Sequence, residues 1–179
     1  MNLTELAEKY GCDKLYRHSY IPFYEDLFSS MRVRRLLEIG IGYQAHMKPY
    51  VPAHYVDGAS VRMWADYFPG ADIFACDIEP SALINEGRVR SCVCDQSDER
   101  SLAAMVKKFG GNFDVIIDDG SHRADDQVKS ALFLLPYLNE GGAYVIEDVR
   151  RREQVAQAVG GTVHRFEKTA GDCLVVVRK

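Results

Sequence analysis

Five short runs rich in aliphatic and β-branched residues, each running into an acidic residue or a glycine, constrain this chain more than any other feature. They are RRLLEIG (34–40), ADIFACDI (71–78), RVRSCVCD (88–95), FDVIIDD (113–119) and GAYVIED (142–148). Their centres are continuously apolar rather than alternating, the pattern of strands buried on both faces of a parallel sheet. Between them, SVRMWADYF (60–68), SDERSLAAMVKKF (97–109) and ADDQVKSALFLLPYL (124–138) space their apolar residues as helices do. Pro136 should kink or end the last helix, and NEGG (139–142) should stop it before the next strand. This order predicts an α/β fold, a doubly wound sheet with right-handed crossovers. Beyond REQVAQAVGG, the segments TVHRFEKT (162–169) and DCLVVVRK (172–179), joined by a turn at Ala170-Gly171, read as a terminal antiparallel β-hairpin. The sheet is then mostly parallel and seven-stranded. Helices over about 3–10 and 21–30 precede it, with Pro22 at an early helical position.

A length of 179 residues suits one domain, 1–179. The net charge of −4 gives no bulk sign of a nucleic-acid surface. RVRR (32–35) and RRR (150–152) read as solvated strand and helix ends, with an anionic partner there as the alternative. MNLTELAEKYG is charged throughout and unlike a signal peptide, and no run of eighteen apolar residues suggests a membrane span. A cytoplasmic protein is expected. The five cysteines are odd in number and scattered. Cys92-x-Cys94 has the alternation of one strand face rather than zinc spacing, so free buried thiols are expected.

Open α/β sheets bind ligands at the C-terminal ends of their strands, near the point where strand order reverses. The first strand ends in Glu38-Ile-Gly40-Ile-Gly42, where glycines let the backbone approach a ligand. The second ends in Asp77 and Ile78, and an acidic group there commonly holds ribose hydroxyls. The third ends in Asp95-Gln96, polar groups able to read an adenine edge; Asp95 also suits helix capping, and for Asp98 capping is the better reading. Glycine-rich, acidic and acidic ends on successive strands describe a nucleoside-shaped crevice. Ala45 stands where a dinucleotide fingerprint has its third glycine, so a nucleoside without phosphates fits better.

EIGIG, FACDIEP, CDQSD, VIIDDGSH and GGAYVIEDV, in that order, resemble the class I S-adenosylmethionine-dependent methyltransferases with their Rossmann-like core. DDGSH followed by IED, together with KYGCDK, YIPFYEDLF and GASVRMWADYFP, resembles more narrowly the Mg²⁺-dependent sugar O-methyltransferases of the mycinamicin and macrocin type. The resemblance implies a Rossmann-like core over 34–179 and an N-terminal helical segment, 1–33, over the site. It implies S-adenosylmethionine held by Glu38, Gly40, Gly42, Ser60, Asp77, Ile78, Asp95, Gln96 and Asp118. It implies Mg²⁺ ligated by Asp119, Glu147 and Asp148, and His122 as general base. The fourth and fifth strands should be neighbours, their ends one strand spacing apart, roughly 4.8 Å. Carboxylates there can converge on one hard cation, although opposite pleats keep both members of a pair from pointing the same way.

The expected chemistry is O-methylation of a hydroxyl on a sugar or small natural product. Alternatives are a metal-independent methyltransferase, on nitrogen or oxygen, and a non-catalytic cofactor-binding protein. Asp119-Gly120-Ser121 could instead be a plain turn, and Glu147-Asp148 a solvated helix entry. His18 is expected on a surface loop, or near the site mouth if the N-terminal segment folds over it. His46 and His54 are expected to be exposed. The long loop from Gly42 to Gly58 suggests a lid. The chain has little room for an extra pocket-shaping segment, so either the acceptor is small or a second subunit of a homo-oligomer completes the pocket. No nucleic-acid or membrane partner is expected.

Overall fold

The five acid-ended runs form the parallel part of a seven-stranded sheet, and their side chains sort by pleat onto its two faces. The computed structural model describes residues 1–166 and 171–179. Its strands are β1 (Arg35–Ile39), β2 (Asp72–Asp77), β3 (Val89–Val93), β4 (Phe113–Asp118), β5 (Leu138–Ile146), β6 (Thr162–Arg165) and β7 (Cys173–Arg178). Their spatial order is β3-β2-β1-β4-β5-β7-β6. The first five lie parallel, and β7 enters antiparallel between β5 and β6. Strand order reverses between β1 and β4. Register there is level: Ile39 pairs with both Cys76 and Asp118, and Asp118 pairs with Ile146. Every acidic strand end therefore reaches the same edge.

The helices are α1 (Leu3–Tyr10), α2 (Asp13–Tyr16), α3 (Ile21–Ser29), α4 (Gln44–Met47), α5 (Ala59–Tyr67), α6 (Glu99–Phe109), α7 (Ala124–Leu134) and α8 (Arg152–Val159). α1 opens with a capping box between Asn2 and Glu5, and Pro22 sits in the first turn of α3. Asp98 caps α6 by accepting from the Arg100 amide, as its position in sequence suggests. Pro136 ends α7, leaving a 3₁₀ turn at Leu135–Tyr137.

Two cores flank the sheet. On one face Leu36, Ile73, Val115, Ile117 and Val145 pack with α1, α3 and α5 around Tyr24 and Trp64. On the other, Leu37, Phe74, Ile116, Tyr144 and Ile146 meet apolar residues of α6, α7 and α8. This alternation along each strand decides where the acidic residues beyond it point. All five cysteines are buried and free. No helix among the described residues is long and apolar enough to cross a membrane.

Two boundaries differ from the sequence reading. NEGG lies inside β5 rather than before it: Phe113 pairs with Leu138 but Val115 with Ala143, so residues 139–142 bulge out of the ladder. Asn139 fastens the bulge, donating to the Asp114 carboxylate at 2.7 Å. The paired part of β6 ends at Arg165, and the rest of the predicted hairpin, 167–170, lies outside the described residues. The short helix α2 was not foreseen.

Candidate functional site

Beyond the β1 and β4 ends the chain encloses a cavity of about 540 Å³. Gly40 makes it possible. Its backbone is left-handed at φ 90°, and a Cβ there would lie 2.1 Å from the Asp119 carbonyl. Gly40, Gly42, Ser60, Asp77, Ile78, Asp95 and Gln96 all line this cavity, as do Asp119, His122 and Asp148. Asp77 fastens the glycine loop to β2, accepting from the Ile41 amide at 2.8 Å. Glu79, not singled out from sequence, offers a second carboxylate at that strand end.

Three expected site residues turn away from the cavity. Asp118 shares the pleat of Ile116 and is fully buried under α7. It accepts from Ser130 Oγ at 2.5 Å and from Gln96 Nε2 at 3.0 and 3.1 Å. The Gln96 amide is thereby committed, its oxygen accepting from the Ser121 amide at 2.6 Å. Glu38 points into the opposite core, accepting from Ser60 Oγ and Trp64 Nε1 at 3.0 and 3.1 Å. Glu147 shares the pleat of Val145 and is also buried there. Tyr24 donates to one of its oxygens, and Lys14 binds the other at 2.8 Å.

Lys14 organises this buried charge, and sequence reading assigned it no role. Its ammonium is fully buried and lies 2.7 Å from Asp119, 2.8 Å from Glu147 and 3.4 Å from Glu38. Burial alone would lower its pKa, but the three carboxylates outweigh burial and keep the ammonium charged. One ammonium cannot balance three carboxylates. Burial lifts Glu38 to about 7 and raises Glu147 well above its usual value. Asp119 is also desolvated, yet Lys14 and His122 hold it below the usual carboxylate range, so it is the ionised partner. The signal available in sequence was indirect: several carboxylates at buried strand ends require a countercharge.

Around the cavity rim the N-terminal residues close in. His18 is buried, not on a surface loop. Its Nδ1 lies 2.9 Å from Asp172 and its Nε2 3.5 Å from Asp148, and it stacks on Tyr20. Tyr20 donates to Asp148 at 2.6 Å. His46 and His54 are exposed, as expected. The loop after Gly42 contains α4, and Tyr50 within it packs under Arg17, 4.1 Å from guanidinium to ring centre.

One donor atom each from Asp119, His122 and Asp148 lies within 4.8 Å of the others. His122 Nε2 is 3.1 Å from Asp119, and Nδ1 is 3.8 Å from Asp148. His122 and Asp148 both hold left-handed backbone, φ 55° and 52°. Such non-glycine outliers cluster where a site needs a fixed geometry. Two half-buried carboxylates facing one cavity suit a hard divalent cation. Two of the three expected ligands, Asp119 and Asp148, thus meet His122, the expected base, while Glu147 is engaged by Lys14 in the core.

Asp118 also sets a pH dependence. Burial lifts its carboxyl from 3.8 to about 6, so between those values the unfolded chain carries fewer protons than the folded one. Stability must then fall as pH rises from about 4 to about 6. Glu38 extends the fall to about 7. Denaturant midpoints should be higher at pH 5 than at pH 7.5, and Asp118→Asn should flatten the lower half of that window. A midpoint that rises with pH across it would contradict this account.

No family model matches the chain. Among curated proteins it is 36% identical over 148 residues to the 8-demethyl-8-α-L-rhamnosyl tetracenomycin-C 2′-O-methyltransferase of Streptomyces olivaceus, covering 83% of this chain and 38% of that protein. It is 35% identical over 151 residues to the mycinamicin VI 2″-O-methyltransferase of Micromonospora griseorubida, covering 83% and 36%. The chain therefore matches less than two-fifths of these relatives' length. Among solved structures, the MycE methyltransferase from the mycinamycin pathway, in complex with Mg and SAH, superposes with a TM-score of 0.76. It is 26% identical, covering 98% of this chain and 54% of that one. An N-methyltransferase, NodS of Bradyrhizobium japonicum, shares the fold at a TM-score of 0.59 and 15% identity. By sequence and by fold, the chain is a homologue of the natural-product sugar O-methyltransferases of the mycinamicin and macrocin type, built on the Rossmann-like fold of the S-adenosylmethionine-dependent methyltransferases.

Proposed function

We propose that this chain, as one methyltransferase domain over 1–179, transfers the methyl group of S-adenosylmethionine to a hydroxyl of a small sugar-bearing acceptor. The observation that carries the reading is His122 at the rim of the cavity beyond the β1–β4 switch point, beside Asp119 and Asp148. Gly40, Gly42 and Asp77 shape the wall against which the nucleoside would lie, and Ser60, Ile78, Asp95 and Glu79 complete it. Gln96 is part of that wall, whereas Glu38 and Asp118 support it from beneath rather than touching the ligand.

The residues present fit Mg²⁺, with Asp119 and Asp148 as its carboxylates. When bound, the cation would acidify a nearby hydroxyl. Glu147 could join these two as a ligand only if Lys14, 2.8 Å away, gave it up. His122 engages Asp119 through Nε2, which leaves Nδ1 to take the proton of the attacking hydroxyl. Tyr20 and His18 hold Asp148 in place from the N-terminal side. A sulfonium methyl is intrinsically reactive, so alignment of the oxygen with it is the main task of the protein.

The test is calorimetric titration of S-adenosylhomocysteine, then a turnover assay with and without Mg²⁺. Binding at micromolar concentrations, with turnover abolished by chelation, is the expected result. Full turnover after thorough chelation would favour a metal-independent methyltransferase, a reading supported by the ammonium already seated between Asp119 and Glu147. Failure to bind the cofactor product would defeat both.

A further inference from the structure

His122 lines a second, smaller recess of about 260 Å³. Its other walls are Arg123, Ala124, Asp125, Arg150 and Arg151. The two recesses have opposite electrostatic character. The larger one is bordered by the carboxylates of Asp77, Glu79, Asp95, Asp119 and Asp148, whereas the smaller gathers three guanidinium groups against one aspartate. In a chain of net charge −4, such a local excess of positive charge is not a property of the surface at large.

The arginines are available. The Arg123 side chain is 78% exposed and, among the described residues, meets only the Asp126 carboxylate, at 3.5 Å. Arg150 and Arg151 are exposed, and among the described residues neither guanidinium is engaged by a carboxylate. They come from two separate segments, the turn before α7 and the turn after β5, which the parallel pairing of β4 with β5 brings side by side. Guanidinium forks are the side chains best matched to phosphate and carboxylate oxygens. A solvated helix entry would account for RRR in sequence, but not for its convergence with Arg123 on a recess shared with the imidazole.

Building on the proposed methyl transfer, we propose that the acceptor is a sugar carrying an oxyanion, either phosphate or carboxylate. It is seated in the smaller recess with its anionic group on Arg123, Arg150 and Arg151 and one hydroxyl directed at His122. The hydroxyl oxygen forms a bond to the methyl carbon as the sulfur–methyl bond breaks. The bonding pair stays on sulfur as a thioether, and the hydroxyl proton passes to His122. The recess suits one sugar ring.

The experiment titrates glucose 1-phosphate, glucuronate and methyl α-glucoside into the protein loaded with S-adenosylhomocysteine, and repeats this with Arg150→Gln/Arg151→Gln and with Arg123→Gln. At least one anionic sugar should bind more than tenfold tighter than the neutral glucoside, with affinity falling as salt is raised. Which one binds distinguishes phosphate from carboxylate. The double variant should lose about tenfold or more of that affinity while S-adenosylhomocysteine binds as before. Equal binding of the neutral glucoside, no sugar binding, or an unchanged affinity in the variants would overturn the anionic acceptor. Loss of S-adenosylhomocysteine binding by the unaltered protein would instead overturn the methyltransferase reading beneath it.

Discussion

A Lys14→Met chain is expected to lose about 3–5 kcal/mol of folding stability, the usual cost of leaving buried charges without their partner. That is a large part of the total of about 5–15 kcal/mol that holds a typical domain folded. The reason is local. Methionine fills nearly the same space, but buried Glu147 and Glu38 and half-buried Asp119 would then face one another with no ammonium among them. Lys14→Arg should fare little better, because the fork demands room that a fully buried pocket does not have. Denaturant unfolding of the three proteins at pH 7 decides the matter. A loss below about 1 kcal/mol in Lys14→Met would show that the carboxylates simply take up protons and that the ammonium is dispensable. The stability deficit should shrink at pH 5, where Glu38 and Glu147 accept protons more readily.

His122→Ala should lower turnover by about 10²–10⁴, the range for removing a positioned general base, while leaving S-adenosylhomocysteine affinity within about twofold. The imidazole is not part of the fold's support: its side chain is 32% exposed. Its pH behaviour gives a second readout. Burial lowers its pKa, but the hydrogen bond to Asp119 and the charge of Asp148 outweigh burial and raise it above 6.5. Only the neutral ring accepts a proton, so kcat/KM should climb with pH through an apparent pKa above 6.5. Mg²⁺ on the two carboxylates would withdraw their negative field, and adding it should move that limb to lower pH. A variant as active as the original, or a profile flat from pH 6 to 9, would remove His122 from the reaction.

The parallel sheet was legible because its signal is periodic and repeated: each buried run announces itself, and each acidic end marks the edge where ligands gather. Gly40, Asp77, Asp119 and His122 could be placed at that edge from sequence for this reason. What could not be read was which way each carboxylate turns. Asp118 and Asp119 are adjacent, yet the pleat sends one beneath α7 and the other toward Lys14. Glu147 goes into the core and Asp148 to the cavity, and the left-handed backbone at Asp148 has no sequence signature. The bulge at 139–142 was missed because glycine and asparagine mark a turn and a bulge equally well. His18 and Lys14 were misread or overlooked because their hydrogen-bond partners Asp172, Asp119 and Glu147 lie more than a hundred residues away, beyond any local pattern.

That separation has a temporal side. Lys14, His18, Tyr20 and Tyr24 are made more than a hundred residues before Glu147, Asp148 and Asp172, which receive their hydrogen bonds and charge. During synthesis at roughly 5–20 residues per second, α2 and α3 wait several seconds before Lys14 meets Glu147 and the two phenols meet their acceptors, with Glu38 as an early partner of the ammonium. They cannot dock fully until β5 has joined the sheet. The charged centre is thus a late event in folding, closing a loop of more than a hundred residues at once, and contacts of such long range slow the final approach to the native state. A nascent chain halted before β5 would lack Glu147 and Asp148 and could not assemble the site.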